Sequence, residues 1–309
     1  MADILAITVP IFLIVGLGYG AVHFGILARG DVRVFGLFVL NFSMPALIIR
    51  AVSQKSLTEL IDPRYIVGYT LASLAVFAVV YAIGRIQAPE RPTRAAFQAL
   101  GASVSNSGFI GYPVATMALG PVGAIAFAHC LLLENLVMLP LGLAMAEAAQ
   151  QAGKPVGTVL GEVFRRLLRN PLIFALLIGA ALSLLSLRLP VPLARTIDLL
   201  ANASAPVSLF VIGATLFGVE VRGMFRAVSL VALGKLLLHP LAVLAAIWLY
   251  PPRDPELVKA MVIFSSVSMI TIYPILGQKY GEAEFCAAAL LVTTAFSFLT
   301  ISVMLYFVI

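Results

Sequence analysis

The chain has 309 residues, 61% of them hydrophobic and only 11% charged, with a net charge of +6 and a mean hydropathy of +1.07. Soluble domains carry about 25% charged residues, so a soluble enzyme or binding module is excluded. Despite a pI near 9.5, no nucleic-acid partner is expected, because Lys and Arg lie in short loops between apolar stretches rather than on one face.

Apolar runs of about 20 residues cross a hydrocarbon core of roughly 30 Å as helices, and ten are read in chain order. The first, about 4–24, follows Asp3 without a basic leader or a small-residue cleavage site, and is expected to stay as a span. Its Gly16-Leu17-Gly18-Tyr19-Gly20 lacks the strand and helix of a dinucleotide loop. Gly16 and Gly20 instead have the spacing for close helix packing. Span 2, about 33–52, carries Asn41-Phe42-Ser43-Met44-Pro45 and, near its end, Arg50, read as an interfacial residue or one that meets an incoming organic anion. Span 3 is about 64–85.

Span 4, about 95–119, contains Ser103-Val104-Ser105-Asn106-Ser107-Gly108-Phe109-Ile110-Gly111-Tyr112-Pro113. Proline removes an amide donor, and glycine permits extended or left-handed backbone, so the helix is expected to unwind there. Span 5, about 122–146, places Glu134 near its centre beside Asn135. A carboxylate at that depth is a functional candidate; the competing reading is a structural hydrogen bond to unwound backbone. His129, five residues earlier, lies about 140° around the helix.

A polar linker near 147–166 separates the halves. Span 6 is about 168–187, and span 7, about 195–219, carries Asn202-Ala203-Ser204-Ala205-Pro206. Span 8, about 225–249, puts Lys235 and His239 four apart on one face. Lys235 is read as a counter-charge to Glu134, a carboxylate binder, a substitute for a coupling cation, or a side chain reaching a watery vestibule. Span 9, about 257–279, repeats the helix-breaking string as Ser265-Ser266-Val267-Ser268-Met269-Ile270-Thr271-Ile272-Tyr273-Pro274, and span 10 is about 284–308. Cys130 and Cys286 lie singly in apolar runs, as small core residues. No metal-ligand spacing is present, and no metal site or cofactor is expected.

One offset of 161 residues superposes Pro10 on Pro171, Asn41-x-Ser43-x-Pro45 on Asn202-x-Ser204-x-Pro206, Tyr112-Pro113 on Tyr273-Pro274, and Gly120 on Gly281. This predicts a duplicated unit: a first five-helix repeat at 1–149, a cytoplasmic linker at 150–166, and a second repeat at 167–309. An odd number of crossings inverts the second copy. The expected fold is therefore an all-α polytopic membrane protein, ten transmembrane helices in a 5+5 inverted repeat with broken crossover helices 4 and 9. Loops after the odd-numbered spans hold twelve Lys and Arg and the opposite side six, counting Lys55, Arg64, Arg188, Arg195, Arg253 and Lys259 among the latter. The positive-inside bias places both termini outside the inner membrane.

NFSMP in span 2, NSGFIGYP in span 4 and the duplicated layout resemble the auxin efflux carrier family over essentially the whole chain. The resemblance implies a fold like that of sodium/bile-acid symporters, with spans 1, 2, 6 and 7 as scaffold and spans 3–5 and 8–10 as a mobile transport domain. It maps the crossover pattern onto Asn106, Gly111 and Pro113, and onto Pro274. Val267 stands where the second copy would repeat Asn106, and the short linker matches bacterial members.

The expected function is secondary active transport of a small organic anion by elevator-type alternating access. Ser107, Gly108, Tyr112, Ser268, Thr271 and Tyr273 join the crossover residues as substrate-binding candidates. Asn41, Ser43, Asn202 and Ser204 face the substrate from the scaffold or pack at proline bends. Glu134, Asn135, Lys235 and His239 are the ion-coupling candidates. Glu134 points to proton coupling, and oxygen ligands near the breaks suit sodium. A homodimer through scaffold helices is expected. The alternatives are a ligand-binding membrane sensor and, without HExxH, GxSxG or paired intramembrane Asp, an intramembrane enzyme.

Overall fold

The computed structural model describes residues 2–53, 62–150, 161, 170–185, 187, 189–218 and 224–308, and among these every regular element is helical. Most of the linker, with Lys154, Arg165 and Arg166, lies outside the described residues, as do Lys55, Arg169, Arg188 and Arg222. In chain order the helices are α1 Ala2–His23, α2 Arg29–Phe38, α3 Met44–Ser53, α4 Pro63–Gln87, α5 Pro92–Ser103, α6 Tyr112–Leu119, α7 Val122–Leu133 and α8 Leu139–Ala149. The later ones are α9 Pro171–Leu184, α10 Val191–Leu216, α11 Phe225–Leu233, α12 His239–Leu249, α13 Pro255–Ser266, α14 Tyr273–Gln278 and α15 Ala283–Val308.

Six continuous helical stretches among the described residues are long and apolar enough to cross a bilayer: 30–53, 63–87, 122–149, 191–216, 225–249 and 283–308. Each falls on an expected span. The apolar helices at 8–23 and 171–184 are shorter, and the stretches 92–119 and 255–278 are interrupted.

Several long helices are widened rather than broken at proline. Four π-helical turns, Val39–Ser43, Ser107–Gly111, Glu134–Met138 and Gly234–Leu238, each end two residues before a proline, namely Pro45, Pro113, Pro140 and Pro240. A proline ring clashes with the carbonyl four residues back and has no amide to give it; admitting one extra residue to the turn moves that carbonyl aside. The turns carry Asn41, Ser107, Glu134 and Lys235, so the proline pattern places the polar candidates on the irregular parts of their helices. Pro10 and Pro206 are instead accommodated inside α1 and α10.

The chain forms two compact units. The first comprises Met1–Asp62, Gly108–His129 and Arg165–Phe217; the second comprises Pro63–Ser107, Cys130–Phe164 and Gly218–Ile309. In the first, α1 packs backbone to backbone on α10: a Cβ added at Gly18 would collide with the Phe210 carbonyl, and one at Gly213 with that of Val15. Sequence spacing had pointed to Gly16 and Gly20, but Gly16 faces open space and Gly20 meets only Phe24. The residue between them makes the close approach. In the second unit Gly142 packs against Leu100 and Gly234 against Ala102, which brings α8 and the Lys235 turn close to α5. Both cysteines are buried and free.

Candidate functional site

The second unit contains both helix interruptions. Helix α5 ends at Ser103, Val104 turns to extended backbone, and helical structure resumes at Ser107. Helix α13 ends at Ser266, Val267 is extended, and α14 begins at Tyr273 with Pro274 in its first turn. The two interruptions bond to each other. The Asn106 amide donates to the Ser268 carbonyl at 2.7 Å, and its side-chain Nδ2 donates to Thr271 Oγ1 at 2.9 Å. Thr294 Oγ1 donates to Ser268 Oγ at 3.2 Å, and Thr300 Oγ1 to the Ser266 carbonyl at 2.8 Å. Unwound backbone at membrane depth persists only when protein or a polar cavity satisfies it; here α15 and the facing break supply part of that.

Opposite charges hold the 104–107 segment. Lys235 is fully buried, and its Nζ donates to Ser105 Oγ at 2.7 Å, to His239 Nδ1 at 2.7 Å, and weakly to the Ser265 carbonyl at 3.4 Å. With Nδ1 accepting, His239 is neutral and its Nε2–H faces Ser73 Oγ at 3.0 Å. Tyr69 extends the network to Ser105 at 3.0 Å. Two residues along, Ser107 Oγ donates to Glu134 Oε2 at 2.6 Å, while among the described residues no side chain or backbone group bonds to the buried Glu134 Oε1. Lys235 and Glu134 are therefore not a direct ion pair, since the cation binds one serine of the break and the carboxylate the next but one. Each charge lies within the electrostatic reach of the other.

Other candidates have local partners. The Tyr273 hydroxyl donates to the Phe97 carbonyl at 2.6 Å, Asn135 Nδ2 to Leu131, and Asn41 Nδ2 to Leu37. His129 belongs to the first unit, where Nε2 accepts from the Asp62 amide at 3.0 Å and Nδ1 contacts the Ile125 carbonyl at 2.9 Å.

Gly108, Gly111, Tyr112, Pro113, Asn41, Ser43, Asn202 and Ser204 also fall in the first unit. A Cβ at Gly108 would press on Met44, and Ser208 Oγ donates to the Phe109 carbonyl at 3.2 Å. Ser43 and Ser204, equivalent under the 161-residue offset, are both buried with hydroxyls that make no hydrogen bond among the described residues. Sequence reasoning did not find Tyr69 or Ser73, and named Ser105 only as part of the helix-breaking string. The available signal was Tyr69 and Ser73, one helical turn apart within an apolar span. An apolar cavity of about 810 Å³ in the second unit, lined by residues such as Leu241, Val258 and Phe307, shares no residue with the candidate set.

A family model described as membrane transport protein matches residues 3–305. The chain belongs to that family. The resemblance to auxin efflux carriers is thereby borne out over the whole chain, and the chain is a multi-pass membrane protein of a transporter family. It is similar to a protein of Rhizobium meliloti (strain 1021) named "Putative malonate transporter", with 30% identity over 310 residues covering 100% of this chain and 97% of that one. A "Lysosomal cholesterol signaling protein" of Mus musculus is 27% identical over 74% of this chain, and the match takes up 28% of that protein. An uncharacterized transporter of Escherichia coli (strain K12) is 26% identical, over 76% of this chain and 75% of its own length.

Proposed function

We propose that the protein is a secondary transporter for a small carboxylate, malonate being the first candidate, which it moves by alternating access. The observation that carries this reading is the pair of abutting helix interruptions joined by Asn106, Ser268 and Thr271 and flanked by Lys235 and Glu134. Two breaks at equivalent places in an inverted repeat are a transporter's means of presenting backbone donors and acceptors to its cargo. Support for the repeat comes from Gly120 and Gly281, which match under the offset and share a left-handed conformation, φ 65° and 73°, after α6 and α14. On this reading ten spans form a 5+5 inverted repeat with broken spans 4 and 9. The second unit, which holds most of spans 3–5 and 8–10, is the moving body of an elevator. The protein resides in the cell membrane with both termini outside.

Glu134 is assigned the coupling proton, because its Oε1 is buried without a donor while Oε2 is held by Ser107. The test is counterflow of radiolabelled malonate in proteoliposomes between pH 5.5 and 8. Wild type exchanges label with a pH-dependent rate; Asn106→Ala loses exchange at least tenfold with its melting temperature within a few degrees of wild type; Glu134→Gln retains exchange but flattens the pH profile. An unaltered profile in Glu134→Gln removes the proton from that side chain. A ligand-binding sensor is the second reading, favoured by the signaling name of the mouse relative. It is chosen if malonate binds but no exchange occurs.

A further inference from the structure

Arg50 is a charge that the transport reading has not used. It lies in α3, but its guanidinium reaches α10: Nη1 donates to Asn202 Oδ1 at 2.8 Å and lies 3.7 Å from Asp198. Asn202 is the twelfth residue of the 26-residue α10, about 17 Å along its axis at 1.5 Å per residue, so the cation is drawn toward the middle of a membrane-spanning helix. Asp198 and Asn202 are both exposed and one turn apart. A charged stripe at such depth faces water, a partner or a ligand, because hydrocarbon disfavours it by several kcal/mol.

Asp198 does not absorb the charge. Its side chain is 52% exposed and lies 3.7 Å from the guanidinium, near the far limit of an ion pair, a geometry with little net strength. The rest of the neighbourhood offers donors. Among the described residues the Asn202 amide nitrogen makes no hydrogen bond, and the Tyr112 hydroxyl lies in contact with both the guanidinium and Thr116, one turn beyond it. A planar guanidinium fixed at one corner, with amide and hydroxyl donors beside it, fits a carboxylate bidentately.

We propose that Arg50, with Asn202 and Tyr112, forms a carboxylate-binding subsite on the first unit. Resting on the transport reading above, this deepens it: the substrate is a short dicarboxylate, one of whose carboxylates Arg50 receives while Asp198 competes for the same cation.

The experiment measures KM and maximal rate for radiolabelled malonate, with acetate as the monocarboxylate competitor, in full-length protein reconstituted in liposomes. Arg50→Gln raises KM for malonate at least tenfold and narrows the preference for malonate over acetate, while Arg50→Lys restores part of the affinity. Asp198→Asn lowers KM two- to threefold, the opposite of what loss of a structural ion pair would do. If Arg50→Gln does not fold, Tyr112→Phe, which removes one hydroxyl, and Asp198→Asn decide the matter through KM. Unchanged KM in Tyr112→Phe together with unchanged or raised KM in Asp198→Asn overturns the subsite, as does wild-type KM in Arg50→Gln. Wild-type protein that neither binds nor exchanges any carboxylate overturns the transport reading itself, and the subsite with it.

Discussion

Lys235 directs its ammonium protons at neutral acceptors, Ser105, His239 and the Ser265 carbonyl, and its counter-charge sits on Glu134 beyond the 105–107 segment. A buried cation without a touching carboxylate is stabilised by hydrogen bonds and by a field, and both partners of that field are buried. Lys235→Met should destabilise the protein by about 3 kcal/mol at alkaline pH, where Glu134 is then a buried charge without compensation, and by less at acid pH, where its carboxyl takes up a proton. Lys235→Met with Glu134→Gln should recover more than half of that loss, measured as unfolding midpoints of the lipid-reconstituted protein. Additivity of the two single changes would show that the groups do not sense one another. The equivalence of Ser43 and Ser204 was legible as a motif, but that both hydroxyls are buried without partners was not, since it depends on how neighbouring helices cover them.

Among the elements, α14 is short and needs fastening. Lys279, just after it, donates to Glu147 of α8 at 2.9 Å, and Tyr280 donates to the same carboxylate oxygen at 2.9 Å. The Glu147 hydrogen bond holds the Lys279 ammonium above the ordinary lysine range. The stabilisation is therefore complete below about pH 10.4 and is lost as pH rises through the raised value. Because Lys279 is mostly exposed, Glu147→Gln should cost no more than about 1 kcal/mol at neutral pH, with high salt shrinking the difference.

The neighbouring pair is more sheltered. Arg94 approaches Glu282 Oε2 with two nitrogens at 2.8 Å and lies over the Phe285 ring. Glu282→Gln should cost about 2 kcal/mol and resist salt. Apolar run length located each helix to within a few residues, as at 225–249. It could not distinguish a proline kink from a π turn, which depends on whether packing lets the helix admit one more residue. Nor could it choose Gly18 over Gly16 and Gly20, because the decision belongs to the facing backbone of α10.

At the scale of the whole molecule, two compact units emerge from a chain that passes between them several times, and two of their borders fall inside expected spans 4 and 5. The assignment of sides comes from loop charge alone and has a direct check. Single cysteines at Arg91 and Arg253, in a background with Cys130 and Cys286 replaced, should react with membrane-impermeant maleimide from opposite sides, Arg253 in intact cells and Arg91 only after permeabilisation. Labelling of both from outside would invalidate the topology. Each π turn, finally, is a helix that has swallowed one surplus residue. Removing a single position from 135–137 lets the helix heal into a regular spiral, and everything beyond it swivels by about 100° relative to Glu134. Such shortened proteins bring the Pro140 ring back against the carbonyl four residues before it and should be less stable by about 3 kcal/mol, whereas the same deletion combined with Pro140→Ala should melt much as the parent does yet carry no cargo, which makes the surplus residue a matter of aim as well as of strength.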